Sequence, residues 1–377
     1  MKFLFVVQGE GRGHLTQAIA LHDMLTRNGH QVVGVLVGKS DFRELPGFFS
    51  KSIHAPIQRF YSPNFISEVK SKKPNLWKSV IYNILKSEVY FRSILFIRKQ
   101  IKELEADVVI NFYELLLGLT YALTPPKVPY ISIAHQYILL HPDFKLPDEN
   151  PVELEGLKFF TKITCVNASK LLALSMYELE DYPEMSITVV PPLLRKEVLE
   201  IQPTEGEYIH GYMLNETYAN EIIKFQVAHP DVCLRFFWDK RDADETTVIN
   251  DKLSFHRLND KLFLEYMAGS KAYATTAGFE SVCEAMYLGK PALMVPTHIE
   301  QACNAYDAQS AGAGISSDEF DLEALLDYIP LHKPNQNFRP WVQQSEQRIM
   351  KLFEFRPEEL LKARKHKINF GSGTLII

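Results

Sequence analysis

A histidine directly after a glycine-rich turn is the first feature of this sequence that could do chemistry. Residues 9–14 read Gly-Glu-Gly-Arg-Gly-His and follow the apolar run at 3–7. Glycines at alternate positions permit a tight strand-to-helix turn and expose amide N–H groups where the next helix opens, at Leu15. His14 at that helix could accept a proton from a bound substrate. The pattern predicts a binding site, although a tight turn without a ligand would have the same pattern.

The same turn disfavours a dinucleotide cofactor. A dinucleotide site has the pattern Gly-x-Gly-x-x-Gly, with an acidic residue at the end of the second strand. Here the third glycine, Gly13, comes one residue early, and residues 37–39 read Val-Gly-Lys where the acid would stand. We therefore expect no hydride transfer.

A second glycine-containing turn, in the later half of the chain, carries a stronger signal. A strand ends at Thr276, and Gly278 lets the next helix begin against a ligand. The N-terminus of a helix carries free N–H groups and partial positive charge, which suit a diphosphate. Glu284, one to two turns into that helix, could reach an attached ribose. Glu300 and Gln301 open another helix at the same rim and could bind sugar hydroxyls.

These residues resemble the nucleotide-sugar donor site of GT-B glycosyltransferases, particularly glycosyltransferase family 28 and its peptidoglycan N-acetylglucosaminyltransferase branch. In that family a glycine ends the strand, a glutamate five residues before Gly-x-Pro holds the ribose, and a pair containing glutamine contacts the donor sugar. The matching positions are Gly278, Glu284 before residues 289–291, and Glu300 with Gln301. By resemblance and fold position, the expected donor-binding residues are Asn215, Arg257, Leu258, Thr276, Gly278, Phe279, Glu280, Ser281, Glu284, Glu300 and Gln301.

The resemblance extends to the first half of the chain. The turn at 9–14 resembles the family's glycine-rich acceptor loop, and residues 131–136 resemble its strand ending in a histidine-containing loop. The resemblance therefore implies acceptor-binding roles for Gly11, Arg12, Gly13 and His135.

The resemblance also implies a mechanism. Retaining GT-B enzymes carry a glutamate eight positions before the ribose glutamate; Thr276 stands there, which favours an inverting single displacement. Glu300 replaces the aspartate of Asp-Gln donor families, which leaves the donor sugar open. We expect His14 to be the catalytic base. Glu114, just beyond the strand at 108–112, is either the alternative base, the orienting partner of His14, or an ordinary solvated acid; His135 is a third candidate.

Metal binding is not expected. Residues 242–244 read Asp-Ala-Asp, which matches the D-x-D pattern of metal-dependent glycosyltransferases of the other fold. They lie in a charged loop, which is usually solvated, and GT-B enzymes mostly need no metal for catalysis. We therefore expect no metal and no cofactor besides the nucleotide-sugar substrate.

The elements that would position these residues follow from hydrophobic periodicity. Short apolar runs alternate with helix-period segments, which predicts an α/β fold of βα units and parallel sheets. The pattern pauses at residues 191–206 and then restarts. With the resemblance, it predicts two Rossmann-like domains in the GT-B arrangement facing a cleft, with ligands at the carboxyl ends of the strands. The predicted units are an N-terminal acceptor-binding domain at 1–198, a C-terminal donor-binding domain at 199–337, and helices at 338–377 packing back on the first domain.

Composition excludes several other classes of protein. The 377 residues include 41 Lys and Arg against 46 Asp and Glu, for a formal net charge of −5, so we expect no nucleic-acid partner. The chain is 46% hydrophobic, as in soluble globular proteins. Its four cysteines are scattered without a CxxC pair, and no stretch of about 20 apolar residues occurs. These features predict a cytoplasmic protein.

One basic aromatic segment departs from the overall acidic charge. Residues 68–102 contain nine Lys or Arg and only two acids. Trp77, Val80, Ile81, Ile84, Leu85 and Val89 recur there at helical spacing, with Lys78 and Lys86 to one side. Such a helix either lies on an anionic membrane surface or packs its apolar face on a sheet. The resemblance favours the membrane, because related enzymes dock there to reach lipid-linked acceptors.

Together these features favour an inverting glycosyltransferase. The expected reaction transfers a hexosyl or N-acetylhexosaminyl group from a UDP-linked sugar to a lipid-linked or cell-envelope glycan acceptor. The resemblance implies peripheral binding at the inner face of the membrane. Two alternatives remain open at this point: a nucleotide-sugar epimerase of the same fold, and a non-catalytic nucleotide-sugar-binding protein.

Overall fold

Two seven-stranded sheets, each covered by helices, form the chain. The computed structural model describes residues 1–41, 44–63, 86–214, 216–240, 243–354 and 356–363. Each sheet is built from an uninterrupted stretch of the sequence, as the restart of the βα pattern predicts.

The first sheet is wholly parallel, with strand order 3-2-1-4-5-6-7. Its strands are β1 (Lys2–Val7), β2 (Gln31–Lys39), β3 (Ile57–Tyr61), β4 (Val108–Phe112), β5 (Tyr130–Ala134), β6 (Lys170–Leu174) and β7 (Ile187–Val190). Apart from Lys2 and Asn111, the central strands β1 and β4 consist of apolar residues, because helices cover both faces of the sheet.

The second sheet has strand order 10-11-9-8-12-13-14 and is parallel except for the pairing of its edge strand. Its strands are β8 (Tyr208–Met213), β9 (Cys233–Trp238), β10 (Thr246–Asn250), β11 (Leu253–Arg257), β12 (Ala272–Thr275), β13 (Ala292–Met294) and β14 (Gly314–Ser316). The edge strand β10 pairs antiparallel with β11 and is largely exposed.

The helices lie on both faces of the sheets. They are α1 (Arg12–Arg27), α2 (Gly47–Ser52), α3 (Ser87–Glu103), α4 (Leu115–Leu123), α5 (Pro151–Thr164), α6 (Lys196–Glu200), α7 (Ala219–Ala228), α8 (Asp260–Gly269), α9 (Phe279–Tyr287), α10 (Ile299–Ser310), α11 (Leu322–Tyr328), α12 (Phe338–Gln343), α13 (Ser345–Leu352) and α14 (Pro357–Ala363). Short 3-10 helices occur at His135–Leu140, Pro183–Met185, Glu216–Tyr218 and Ile329–Leu331.

The first helix begins earlier than the sequence predicts. Gly11 is its N-cap, so α1 starts at Arg12 rather than Leu15. Gly13 and His14 therefore belong to the first turn of the helix and not to the preceding loop. The physical reason is that the glycines, which lower helix propensity, stand in the first turn, where tertiary contacts decide the boundary.

The helices after residue 337 pack against the first sheet. The ring of Phe353 lies 4.9 Å from that of Phe3, centroid to centroid. The indole N–H of Trp341 donates to the carbonyl of Ser175 at 2.8 Å, and Glu346 binds Arg27 at 2.8 Å. The chain therefore crosses between the two sheets twice. The exact domain limits at 198 and 337 remain predictions.

Only part of the basic aromatic segment can be described. Residues 64–85, which include Trp77 and Lys78, lie outside the described residues. In α3, Tyr90, Ile94 and Ile97 are buried against the first sheet, whereas Phe91 and Leu95 are exposed. Within the described ranges, no helix has the length and apolarity needed to cross a membrane.

Candidate functional site

The sequence-predicted residues of the two halves meet where the carboxyl ends of the two sheets face each other. From the first half come the start of α1, the residues after β4 and the start of the 3-10 helix that follows β5. From the second half come the N-termini of α9 and α10, which follow β12 and β13. Helix N-termini and strand carboxyl ends are where open α/β sheets bind ligands.

His14 lies in the first turn of α1 with its imidazole buried. Its Nδ1 atom is 3.3 Å from the Oε1 atom of Gln17, one turn further along the helix. The ring of Tyr113 stacks on it at 5.4 Å. Burial, together with nearby His135, lowers the pKa of His14 to about 4, against the opposing effects of Glu300 and Gln17. The side chain is therefore neutral, and able to accept a proton, at physiological pH.

His135 connects the two halves. Its ring lies nearly parallel to that of Phe279, with centroids 4.5 Å apart, and also stacks on His14 at 6.3 Å. Its Nε2 atom is 3.3 Å from the Oε1 atom of Glu300, which also accepts a 3.0 Å hydrogen bond from Gln136. Burial alone would raise the pKa of Glu300, but the surrounding histidines lower it to about 2. Three predicted site residues, His14, His135 and Glu300, thus form one cluster.

Glu280 makes a second contact across the cleft. Its Oε1 atom accepts a hydrogen bond from the side-chain amide of Gln17 on α1. A Cβ atom at Gly13 would lie 2.0 Å from the other oxygen, Oε2. A side chain at position 13 would therefore displace the Glu280 carboxylate from its place against α1. Burial raises the pKa of Glu280, and His135 and Gln17 oppose that shift.

Glu284, the expected ribose ligand, is buried beside a cation that the sequence did not predict. The guanidinium of Arg195 donates to its Oε1 atom from both Nε (3.2 Å) and Nη2 (2.9 Å). Arg195 also binds Asp260. Burial raises the pKa of Glu284 while Arg195 lowers it. The arginine lies between the two sheets in the sequence, so it ties the connecting segment to the donor-side helix α9.

The remaining donor-side residues occupy different places. Gly278 is the N-cap of α9, and Ala277 before it has the unusual positive φ of 54°. Thr276 is buried, and the hydroxyl of Ser281 donates to the Gly278 carbonyl at 3.2 Å. The amide oxygen of Gln301 accepts hydrogen bonds from the backbone and hydroxyl of Thr297, which hold it within its own loop.

Two predicted residues lie apart from this cluster, and one cannot be placed. Arg257 ends β11 and Leu258 follows it, and β9 and β8 separate β11 from β12. The guanidinium of Arg257 is 3.8 Å from Glu245. Asn215 lies outside the described residues. On the acceptor side, the Gly11 amide donates to Gln8 at 3.0 Å, and Arg12 lies over the ring of Phe48.

Glu114 is a buried capping residue rather than a solvated loop acid. Its Oε1 atom accepts hydrogen bonds from Ser62 (2.6 Å) and from the amide of Leu116, which caps α4. Burial raises its pKa to about 7. Among the described residues, Gln17 and not Glu114 hydrogen-bonds His14. The role of Glu114 as a base remains a prediction.

The D-x-D pattern cannot be assessed as a pair, because Asp242 lies outside the described residues. Across the described part of the chain, no group of three or more His, Cys, Asp and Glu side chains is arranged to hold a metal ion.

Sequence reasoning missed Gln17, Tyr113 and Arg195. A buried glutamine within a helix has no sequence signature, and Tyr113 reaches His14 through a positive φ of 59°. Arg195 lies in the predicted break, shortly after Pro191 and Pro192. Its burial depends on the ion pair with Glu284, and the sequence does not show that these two residues are in contact.

Comparison with known proteins assigns a family to this arrangement. The sequence model of Glycosyl transferase family 1 matches residues 1–331. An uncharacterized glycosyltransferase of Methanosarcina acetivorans is 25% identical over an alignment of 344 positions that covers 83% of each chain. The structure of the glycotransferase of kitacinnamycin aligns with a TM-score of 0.63 at 14% identity, covering 94% of this chain and 98% of that one. Arabidopsis thaliana UGT89C1 in complex with UDP-L-rhamnose aligns with a TM-score of 0.57 at 17% identity, covering 96% and 97%. These structures share the two-sheet GT-B fold.

Proposed function

Because this chain belongs to Glycosyl transferase family 1, we propose that it is an inverting enzyme that uses a UDP-linked sugar. The transferred group is a hexosyl or N-acetylhexosaminyl unit, and the acceptor is a lipid-linked or cell-envelope glycan. A likeness to family 28 within the GT-B enzymes, expected from the donor-site residues, is part of this proposal. The observation that carries it is the neutral, buried His14 at the point where α1 meets the N-terminus of α9.

The donor is assigned to the second half of the chain. The N-terminus of α9 suits the diphosphate, because amide dipoles favour negative charge there. Glu284 suits the ribose diol, because both hydrogen bonds from Arg195 go to its Oε1 atom and so leave the other carboxylate oxygen for the ribose hydroxyls. UGT89C1, which has the same fold, is known with a UDP-sugar bound, and this supports a UDP donor for this chain.

The reaction follows from these positions. His14 Nε2 takes the proton of the acceptor hydroxyl while the hydroxyl oxygen bonds to the anomeric carbon. The bond from that carbon to the diphosphate oxygen breaks on the opposite face, and the diphosphate leaves with the electron pair. Inversion at the anomeric carbon results. Thr276, buried at the end of β12, offers no carboxylate for the double displacement of a retaining enzyme.

The proposed base is tested by His14→Ala, with the exposed His54→Ala as the matched control. A positioned general base contributes about 100- to 10,000-fold, so we expect kcat for sugar transfer to fall by that factor. The measurement is product formation with a panel of UDP- and other nucleotide sugars, with the anomeric configuration read by NMR. Turnover by His14→Ala equal to wild type would refute the base, and absence of both binding and transfer with every donor would refute the function.

A further inference from the structure

His14, Gln17 and Glu280 form a chain of hydrogen bonds that begins in one half of the protein and ends in the other. Gln17 is completely buried, and its amide lies between the imidazole and the carboxylate. Gln17 and Glu280 are separated by 263 positions in the sequence. Such a contact exists only while α1 and α9 are packed against each other.

The chain of bonds fixes the direction of the Gln17 amide. The NH2 group of Gln17 donates to the Oε1 atom of Glu280, which is the arrangement that a carboxylate requires, because in its ionised form it can only accept hydrogen bonds. The amide oxygen then faces Nδ1 of His14, as the 3.3 Å contact records. An oxygen acceptor at that position requires a proton on Nδ1. The other nitrogen, Nε2, is consequently left as the unprotonated, basic atom.

We infer that Glu280 and Gln17 are positioning residues that set the tautomer of His14, and that the donor-side half thereby prepares the base on the acceptor-side half. Among the described residues none hydrogen-bonds Nε2, so that atom is available to the acceptor hydroxyl. This inference rests on the proposed function for its catalytic meaning. The hydrogen-bond chain itself does not depend on the identity of donor or acceptor.

Three further features favour this assignment over simple packing. Gly13 leaves room for Glu280 at a distance that any side chain would obstruct. The ring of Phe279, the residue before Glu280, stacks on His135 at 4.5 Å and so anchors the first turn of α9 against the acceptor side. The rings of Tyr113 and His135, which both lie nearly parallel to the imidazole, then help to hold it in its plane. The tautomer and the orientation of the base are thus set by separate contacts.

The decisive measurement is the tautomer of His14, read from long-range ¹H–¹⁵N correlation spectra of the full-length protein. We expect Nδ1–H in wild type and a shift toward Nε2–H in Gln17→Ala. Glu280→Gln should give a mixture, because a carboxamide can present either group to Gln17. Gly13→Ala should give the same mixture by displacing Glu280 without removing a polar group. The exposed residues Gln309 and Glu323 supply matched controls as Gln309→Ala and Glu323→Gln.

Kinetics separates positioning from donor binding. A wrong tautomer lowers kcat and not affinity, so we expect a fall in kcat of about 10-fold or more in Gln17→Ala and Glu280→Gln, with the KM for the nucleotide sugar within about twofold of wild type. A fall in kcat with His14 still protonated on Nδ1 in all three variants would overturn the inference. If the tautomer shifts as expected but wild type transfers no sugar, Gln17 and Glu280 do set the tautomer of His14 and the proposed function fails. Spectra of the variants also show directly whether they are folded.

Discussion

The imidazole of His14 must be neutral before it accepts a proton and positively charged afterwards, and burial favours only the neutral form. A pKa of about 4 keeps the ring neutral, so the base form is fully present at neutral pH. The positive charge that develops during proton transfer must nevertheless be stabilised away from water. Glu300, from the second half, raises the pKa of His14 against burial and therefore favours the protonated ring. The residue expected to read the donor sugar thus also has an electrostatic role at the base.

His210 is a buried histidine outside the candidate site, and its burial lowers the stability of the protein in acid. Rings of Phe237, Phe263 and Tyr273 surround it, at 5.4, 4.6 and 5.2 Å. Burial lowers its pKa to about 3, compared with about 6.5 when unfolded. Between these pH values the unfolded state binds one more proton than the native state, so stability falls as pH drops below about 6.5.

We predict that His210→Phe reduces acid sensitivity. The wild-type protein should lose up to about 1.4 kcal/mol per pH unit from this residue alone between pH 6 and 4, and the variant should not. Urea denaturation midpoints across that pH range measure the difference. His14 leaves a residual slope in both proteins, because its pKa is also lowered. Identical pH slopes for wild type and variant would contradict the prediction.

At the level of secondary-structure elements, the sequence predicts those strands and helices whose burial leaves a regular apolar pattern. The runs at 3–7 and 108–112 are strands in which every position except Asn111 is apolar, because both faces of the sheet are covered. Strand β10 was not predicted, because its residues are exposed and carry no apolar pattern. Strand β14 has only three residues, too few to show a period. Among site residues, His14, His135 and Glu300 could be located from family motifs, whereas Gln17 and Arg195 depend on partners distant in the sequence.

The contact between α4 and α5 leads to a prediction about helix packing. A Cβ atom at Gly118 would lie 2.2 Å from the carbonyl oxygen of Ile163, whereas one at Gly156 would meet nothing within 4 Å. We expect Gly118→Ala to lower the free energy of unfolding by about 1–3 kcal/mol through overpacking. Gly156→Ala should raise it by about 0.5–1 kcal/mol, because alanine has the higher helix propensity. Urea denaturation of the two variants measures both, and equal effects would refute the packing argument.

For the whole molecule, the distribution of charge over the surface bears on binding to a membrane more than the net charge does. The net charge is −5, yet α3 presents Arg92, Arg98, Lys99 and Lys102 on the same exposed face as Phe91 and Leu95. Two acids of the same helix partly offset this charge, because Glu88 pairs with Arg92 and Glu103 pairs with Lys99. Its other face is already buried against the first sheet. An exposed face that combines basic and apolar side chains suits an anionic lipid surface, which is where a lipid-linked acceptor would be found.

We predict that the protein floats with vesicles containing anionic lipid and not with purely zwitterionic ones. Each basic residue near such a surface contributes about 1 kcal/mol, so changing Arg98, Lys99 and Lys102 to Glu should weaken partitioning by roughly 100-fold or more. The matched control changes the exposed Lys224, Lys252 and Lys261 to Glu, for the same net charge. Equal flotation of the two triple variants would refute a membrane role for α3.

The return of the final helices to the first sheet has a consequence for biosynthesis. Phe3 is synthesised long before Phe353, but the rings of the two residues pack against each other. At a synthesis rate of about 5–20 residues per second, the second ring follows the first by roughly 20 to 70 seconds. The first sheet is complete once Val190 has been made, but the apolar surface that Phe353 covers stays uncovered until the final helices follow. During that later part of the interval the nascent chain is exposed to chaperones, proteases and self-association.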